Sequence, residues 1–259
     1  QFFILENVKG ILSMEYGGHF ATILSRLTKI GYRVEWRLLN ATYFGMPQNR
    51  ERVFLVGKLI NGKEFPKIYL ASEKDIDEID MQAKEHFLEV ENWLELERYS
   101  RKFASWGVAF EDKFFGWDLK HFSETVKLVP FKTILESNVN GKFDLTESTI
   151  ARLANSSKVN RFVSGVEILY NQKGGARMGY TVFGIEGIAP TLTSTTSRHY
   201  ERYKIGEKYR RLTDVEYARL QGFPDDHCSV VARRDRYILY GNAVPPPMVR
   251  WTLQDRKSV

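Results

Sequence analysis

Glu6 and Asn7 close an apolar run at residues 2–5, and further along Gln48, Arg50 and Arg52 alternate on a short basic stretch. A carboxylate at the C-terminal end of a strand lies where open α/β sheets build their sites, and there it can hold or release a proton. Arginines are planar, permanently charged donors, suited to a carbonyl oxygen or a phosphate. Taken alone, Glu6 reads equally as an ordinary strand-end carboxylate, and Gln48, Arg50 and Arg52 as a surface salt-bridge cluster. The five histidines show no metal-ligand spacing with one another or with the single cysteine, so no metal site is expected. That cysteine, Cys228, follows His227 and reads as a half-buried structural thiol.

The elements that must position these groups are partly legible. Residues 2–8 predict a short buried strand with its polar residues last. Phe20, Ile23, Leu24 and Leu27 recur at helical spacing up to Gly31. Residues 32–40 and 52–59 are β-rich runs flanking a loop with Gly45, Pro47 and Gln48, which predicts an antiparallel pair. Residues 73–97 hold ten acidic residues against Lys74 and Lys84, the pattern of a helix with a solvated acidic face and a poor surface for DNA. Trp106, Phe110, Phe114, Phe115, Trp117 and Phe122 predict a small local core, and residues 144–153 a helix with Thr146 as its cap. Residues 163–170 and 180–185 predict strands joined by a turn-rich basic connection containing Arg177. Three successive prolines are tolerable at a helix entry, so a last helix is expected from Pro246.

The sharpest local signal is residues 210–224. Thr213 and Glu216 have capping-box spacing, and Leu212 and Tyr217 that of a hydrophobic staple. Asp214 and Glu216 in the first turn and Arg219 in the last suit the helix dipole. Gly222 supplies a left-handed stop, and Pro224 bars continuation.

Composition sets outer bounds. The 259 residues suffice for a real core, and 43% hydrophobic with 27% charged content is globular. No apolar run reaches membrane-spanning length, so no membrane partner is expected. A lone cysteine excludes an intrachain disulfide framework and suits a reducing compartment, and a net charge of +6 allows an acidic partner without requiring one. The chain starts inside an apolar run without Met, which predicts a start in mid-domain.

The string at 210–224 resembles the ninth conserved motif of the DNA cytosine-5 methyltransferases, R-x-L-T-x-x-E-x-x-R-L-Q-G-F-P, through Arg210, Leu212, Thr213, Glu216, Arg219 and residues 220–224. Three other stretches resemble the same family in its order. Glu6, Asn7 and Val8 match its E-N-V strand end, and Gln48, Arg50 and Arg52 its Q-x-R-x-R. Gly241, Asn242, Ala243 and Val244 resemble its G-N-S-V. The resemblance implies an α/β fold: the C-terminal part of a Rossmann-like methyltransferase catalytic domain plus a smaller mixed α+β target-recognition domain. On that reading residues 1–59 belong to the catalytic domain, 60–207 to the recognition domain with an acidic helical insert, and 208–259 return to the catalytic domain.

The implied reaction moves a methyl group from S-adenosylmethionine to carbon 5 of a cytosine flipped out of duplex DNA. The resemblance makes Glu6 the carboxyl that protonates ring nitrogen 3 and Arg52 the donor to the cytosine carbonyl, with Asn7 and Arg50 beside them as catalytic candidates. Asn242, Ala243 and Val244 are the implied cofactor contacts. The implied DNA contacts are Gln48, Arg177, Thr191, Leu192, Thr193, Ser194, Arg198, His199 and Arg202, since arginine suits guanine edges and phosphates and hydroxyls suit either. The setting implied is a bacterial restriction-modification system acting on cytoplasmic DNA.

Departures from the pattern matter as much. No Pro-Cys dipeptide, which holds the family's nucleophile, and no G-x-G-x-x-G occurs in the sequence, and Leu239 stands where the last motif has glutamine. Most of the S-adenosylmethionine site is therefore expected outside this chain, on an N-terminal methyltransferase portion or subunit. Two other readings stay open at this level: a non-catalytic DNA-binding remnant, and the tRNA-methylating branch of the family.

Overall fold

The computed structural model describes residues 1–60, 70, 93–119, 128–171, 180–194 and 201–254. Most of the expected acidic helix, and Arg177, Arg198 and His199, lie outside the described residues. The chain divides into two compact units, one of Gln1–Asn40, Glu51–Thr125 and Arg250–Val259, the other of Ala41–Arg50 and Val126–Val249.

In the first unit β1 (Phe2–Val8), α1 (Gly18–Lys29), β2 (Tyr32–Asn40), β3 (Glu51–Leu59), β4 (Leu94–Glu95), β5 (Trp106–Phe110) and β6 (Lys113–Trp117) follow in chain order. Their sheet runs β1-β3-β2-β5-β6-β4, antiparallel throughout. β2 and β3 pair as the two β-rich runs predict, Tyr32 opposite Leu59 and Asn40 opposite Glu51. Period-2 alternation sends Val34, Trp36, Val53 and Leu55 into a core with Phe20 and Leu24 of α1 and with Phe103 and Phe114. Glu6 and Arg52 project from the opposite face.

Two expectations change here. β1 is not buried: it is the terminal strand of the sheet among the described residues, with Phe2 54%, Leu5 45% and Val8 49% exposed. Apolar content marks a strand but not its place in a sheet. The aromatic-rich segment is no separate small core either. β5 pairs with β2, Trp36 opposite Gly107, and Trp36, Phe103 and Phe114 pack ring to ring. The segment thus extends the first sheet, covers the edge that β2 would otherwise present, and belongs to the same compact unit as β1, β2 and β3.

The second unit contains α2 (Glu147–Ala154), β7 (Ser157–Val163), β8 (Val166–Asn171), β9 (Thr181–Phe183), β10 (Arg202–Ile205), β11 (Lys208–Arg210), α3 (Asp214–Leu220) and α4 (Arg233–Asn242). Its sheet runs β11-β10-β9-β8-β7, with only β9 and β10 parallel. The single strand expected over 163–170 is instead a hairpin, because Ser164 (φ 48°) and Gly165 (φ 79°) form a two-residue left-handed turn. Thr146 precedes α2 as expected, yet its hydroxyl meets those of Ser148 and Thr149 instead of capping an amide.

α3 follows its sequence signature closely. Glu216 N donates to Thr213 Oγ1 at 3.0 Å and Thr213 N donates to Glu216 Oε2 at 2.8 Å, a complete capping box. Leu212 and Tyr217 are both buried, and Gly222 takes the left-handed stop at φ 80°. Tyr203, Phe183, Leu212, Tyr217, Tyr237 and Tyr240 share one core. α5 (Pro246–Gln254) begins at the expected proline.

Candidate active site and nucleic-acid interface

The first constellation belongs to the first unit. β1 and β3 run antiparallel with Glu6 opposite Phe54 and Val8 opposite Arg52, so Glu6 and Arg52 are diagonal neighbours on one face. Arg52 Nε lies 2.9 Å from Glu6 Oε1, the side chains being 13% and 28% exposed. Arg52 Nη1 also donates to the Glu51 carbonyl at 2.8 Å. Burial lowers the Arg52 pKa, and the Glu6 carboxylate opposes that shift. Two hydrogen bonds thus aim a half-buried guanidinium whose carboxylate partner still reaches solvent. Asn7 projects from the other face, exposed, and its side-chain oxygen accepts the Val8 amide at 2.8 Å.

The second constellation belongs to the second unit and centres on residues 189–193. The resemblance places Gln48 at DNA and Arg50 in catalysis; instead both are 0% exposed, and their polar groups are turned onto the chain itself. Gln48 Oε1 accepts the Leu192 amide at 3.0 Å, while its Nε2 donates to the Leu220 carbonyl at 3.2 Å. Arg50 donates to the carbonyls of Leu192, Gly241 and Ala243 at 3.1, 2.9 and 2.7 Å. Alternating backbone bonds, Ala189 N to Pro47 and Asn49 N to Ala189, run beside them, and Thr191 Oγ1 donates to the Asn49 carbonyl. Gly241 has no side chain because one has no room: a Cβ there would lie 2.4 Å from the Thr193 carbonyl oxygen. The Q-x-R half of the motif is therefore a clasp that fixes the 189–193 segment, with Leu192 buried and Thr191, Thr193 and Ser194 half-buried.

Glu201 and Tyr217 complete the clasp; Tyr217 is legible in sequence only as a staple residue, and Glu201 carries no signal because a carboxylate beside a basic tract reads as solvated surface. Glu201 Oε1 accepts the Thr193 amide at 3.3 Å, and its other oxygen accepts the Tyr217 hydroxyl. Burial raises the Glu201 pKa, only partly offset by the Tyr217 and Thr193 hydrogen bonds, and burial likewise raises that of Tyr217. Glu201 therefore binds its proton more tightly folded than unfolded. Its ionisation opposes folding above the unfolded carboxylate pKa, and this opposition fades as pH falls below the folded value. Glu201→Gln should consequently gain stability relative to wild type as pH rises from the ordinary carboxylate value of 4.5 through the raised folded value. Parallel thermal melts across that range check this, and a constant difference between the two proteins would refute it.

Asn242, at the end of α4, is exposed, and Ala243 and Val244 are half-buried, the Ala243 carbonyl being held by Arg50. Arg202 is half-buried on β10. Among the described residues no group of three or more His, Cys, Asp or Glu could hold a metal, and no helix is long and apolar enough to cross a membrane.

The model of the C-5 cytosine-specific DNA methylase family matches residues 1–257. This chain belongs to that family. Curated relatives among these methylases include the type II methyltransferase M.Sau3AI of Staphylococcus aureus, 27% identical over 272 residues that cover 96% of this chain and 65% of the relative. M.NlaIV of Neisseria lactamica is 28% identical over 305 residues, covering 96% and 71%. Among solved structures, the S. pombe Dnmt2 methyltransferase superposes with a TM-score of 0.54 at 14% identity, covering 96% of this chain and 65% of that one. The Entamoeba histolytica methyltransferase EhMeth gives 0.53 at 12% identity, covering 98% and 62%. The fold is thus that of the methylases, and the chain spans about two-thirds of the length of these relatives. In the methylase frame, the two arginines two residues apart in one motif divide their work: Arg52 meets Glu6, and Arg50 meets main-chain carbonyls.

Proposed function

We propose that this chain is the C-terminal part of a DNA cytosine-5 methyltransferase, acting on a specific duplex DNA site in a restriction-modification system. The observation that carries the reading is the Glu6–Arg52 pair, 2.9 Å apart on one sheet face. An acid hydrogen-bonded to a permanently charged donor is what a cytosine ring needs across its nitrogen 3 and adjacent carbonyl. Glu6 supplies the proton held at nitrogen 3, and Arg52 donates to the carbonyl oxygen, so charge that builds on the ring during addition at carbon 6 is met by preorganised donors. Asn7 orients the strand end through the Val8 amide. Gln48 and Arg50 act as positioning residues for Thr191, Leu192, Thr193 and Ser194, which with Arg202 and the outlying Arg177, Arg198 and His199 form the DNA-reading side.

S-adenosylmethionine, when bound, supplies the electrophilic methyl group. The residues of this chain fit only the rim of its site: Asn242 offers an exposed amide, while Ala243 and Val244 offer backbone. The nucleophilic thiolate and the rest of that site would come from an N-terminal methyltransferase portion. β1 supports such a partner, as a terminal strand whose exposed Phe2, Leu5 and Val8 suit pairing with further chain.

The test is tritium transfer from labelled S-adenosylmethionine to duplex DNA and, separately, to tRNA. This chain alone should transfer nothing; mixed or co-expressed with a portion bearing the Pro-Cys motif and the glycine-rich loop, it should methylate duplex DNA. Transfer by the isolated chain, or transfer to tRNA alone, would overturn the proposal.

A further inference from the structure

The ring and the hydroxyl of Tyr217 answer to different needs. The ring is the staple residue of α3 and packs edge-on against Tyr237, centroids 4.7 Å apart at 80°. A phenylalanine would serve both purposes. The hydroxyl is extra: Tyr217 is 3% exposed, and a buried hydroxyl costs stability unless it is bonded. It donates to Glu201 Oε2, and Glu201 is itself 1% exposed. Tyr217 also falls on an unspecified position of the R-x-L-T-x-x-E-x-x-R-L-Q-G-F-P pattern, so the motif does not call for this link.

The other oxygen of the same carboxylate faces Thr193. The Thr193 amide donates to Oε1 at 3.3 Å, and the Thr193 hydroxyl lies 3.5 Å from it. These three groups are all donors, and an ionised carboxylate accepts at both ends. An apolar pair of the same shape could fill the space at little cost to stability, so what the polar pair adds is direction. That direction is toward the end of the clasped segment. Gln48 and Arg50 hold Leu192 by its amide and its carbonyl, and Glu201 adds the next hold, on Thr193. Through Tyr217 this hold is referred to α3, and through its own main chain to β10, where Tyr203 is fully buried. The described chain breaks off after Ser194 and resumes at Glu201, so one carboxylate ties the point of departure to the point of return.

We propose that Glu201 and Tyr217 are positioning residues for target-base selection, their buried link setting where Thr193 and Ser194 stand against the DNA. The inference rests on the reading of residues 191–194 as part of the DNA-reading side. Both residues are buried, so neither meets DNA itself. Loss of the link blurs the choice of site without removing the chemistry assigned to Glu6 and Arg52.

The test uses the enzyme assembled with its cysteine-bearing portion. It methylates a pool of duplexes randomised around a central cytosine, and bisulfite sequencing reads which were modified; a melt of each variant controls for folding. Wild type should show one preferred site. Tyr217→Phe keeps the staple ring and should reduce the preference at one or more positions of that site by about tenfold, the discrimination of one well-placed base contact. Glu201→Gln keeps both reaches, its amide oxygen accepting from Thr193 and its NH2 donating to a Tyr217 hydroxyl that turns to accept. It should retain the wild-type profile. Glu201→Met combined with Tyr217→Phe fills the space with apolar groups, preserves the fold, and should blur the site as Tyr217→Phe does. If Tyr217→Phe and the double variant methylate more slowly but with unchanged site preference, the link is structural only and the proposal is overturned. Glu201→Gln that blurs the site as much as Tyr217→Phe would overturn it too, and either result leaves the methyltransferase reading standing. Wild type that methylates duplexes without preference, or not at all, overturns the site-specific methyltransferase reading and this inference with it.

Discussion

Arg52→Ala, in an enzyme assembled with its cysteine-bearing portion, is expected to lower the single-turnover rate of methyl transfer by roughly 10²–10³-fold, about 2.7–4 kcal/mol, the usual effect of removing one preorganised donor from a developing charge. The geometry separates this loss from a folding defect. Glu6 sits on the terminal strand β1, Arg52 on the neighbouring β3, and both side chains keep some contact with solvent; ion pairs open to solvent contribute about 0–1 kcal/mol to stability. Activity should therefore collapse while the melting temperature moves little. Arg52→Lys retains the charge but loses the fork that reaches Glu6 through Nε and Glu51 through Nη1. It should fall between wild type and alanine. Rapid-quench measurement of labelled methyl on a duplex, with a melt of each variant, checks both halves. A rate within about threefold of wild type for Arg52→Ala would sink the assignment.

Arg210→Ala should have the largest effect on stability, about 3–5 kcal/mol. Arg210 and Glu216 are 4% and 0% exposed and meet through two hydrogen bonds of 2.7 Å each. The same carboxylate accepts the amides of Thr213 and Glu136, at 2.8 and 2.9 Å. Removing the guanidinium strands a buried charge on which the cap of α3 and the chain at Glu136 both depend. For a chain of this size the loss corresponds to a fall of about 6–20 °C in melting temperature. Replacing both partners with apolar residues, Arg210→Met with Glu216→Leu, leaves no orphaned charge and should cost less than Arg210→Ala alone. Calorimetry of the two variants decides the matter: a double replacement no milder than the single one would mean the cost lies in the cap rather than in the unpaired charge.

How much of this is legible in the sequence depends on the range of the interaction. α3 is readable in detail because its cap, staple and stop lie within residues 210–224, each signal local and physically specific. The β2–β3 pair is readable because two β-rich runs flank a loop marked by Gly45 and Pro47. What escapes is set by distant partners. The exposure of β1 depends on which strand lies beside it, and the joining of β5 to β2 depends on an edge that no local pattern announces. The turn at Ser164 and Gly165 is masked inside an otherwise continuous β-rich run. In the candidate site, the order of motifs marks Glu6 and Arg52, and the sheet register places them together. Their spacing does not reveal that Gln48 and Arg50 face inward, because a buried glutamine or arginine looks, in sequence, like an exposed one. Glu201 is invisible for the converse reason.

The second unit is not contiguous: Ala41–Arg50 belong to it together with Val126–Val249, and Gln48 and Arg50 hold its backbone at Leu192, Leu220 and Gly241. Modularity in this protein therefore does not follow the chain. A graft that moved only the later segment into another methylase would leave behind the two side chains that shape its central loop, and would depend on the host's own glutamine and arginine to refill those places. The portable unit is a pair of segments, Ala41–Arg50 with Val126–Val249, moved together.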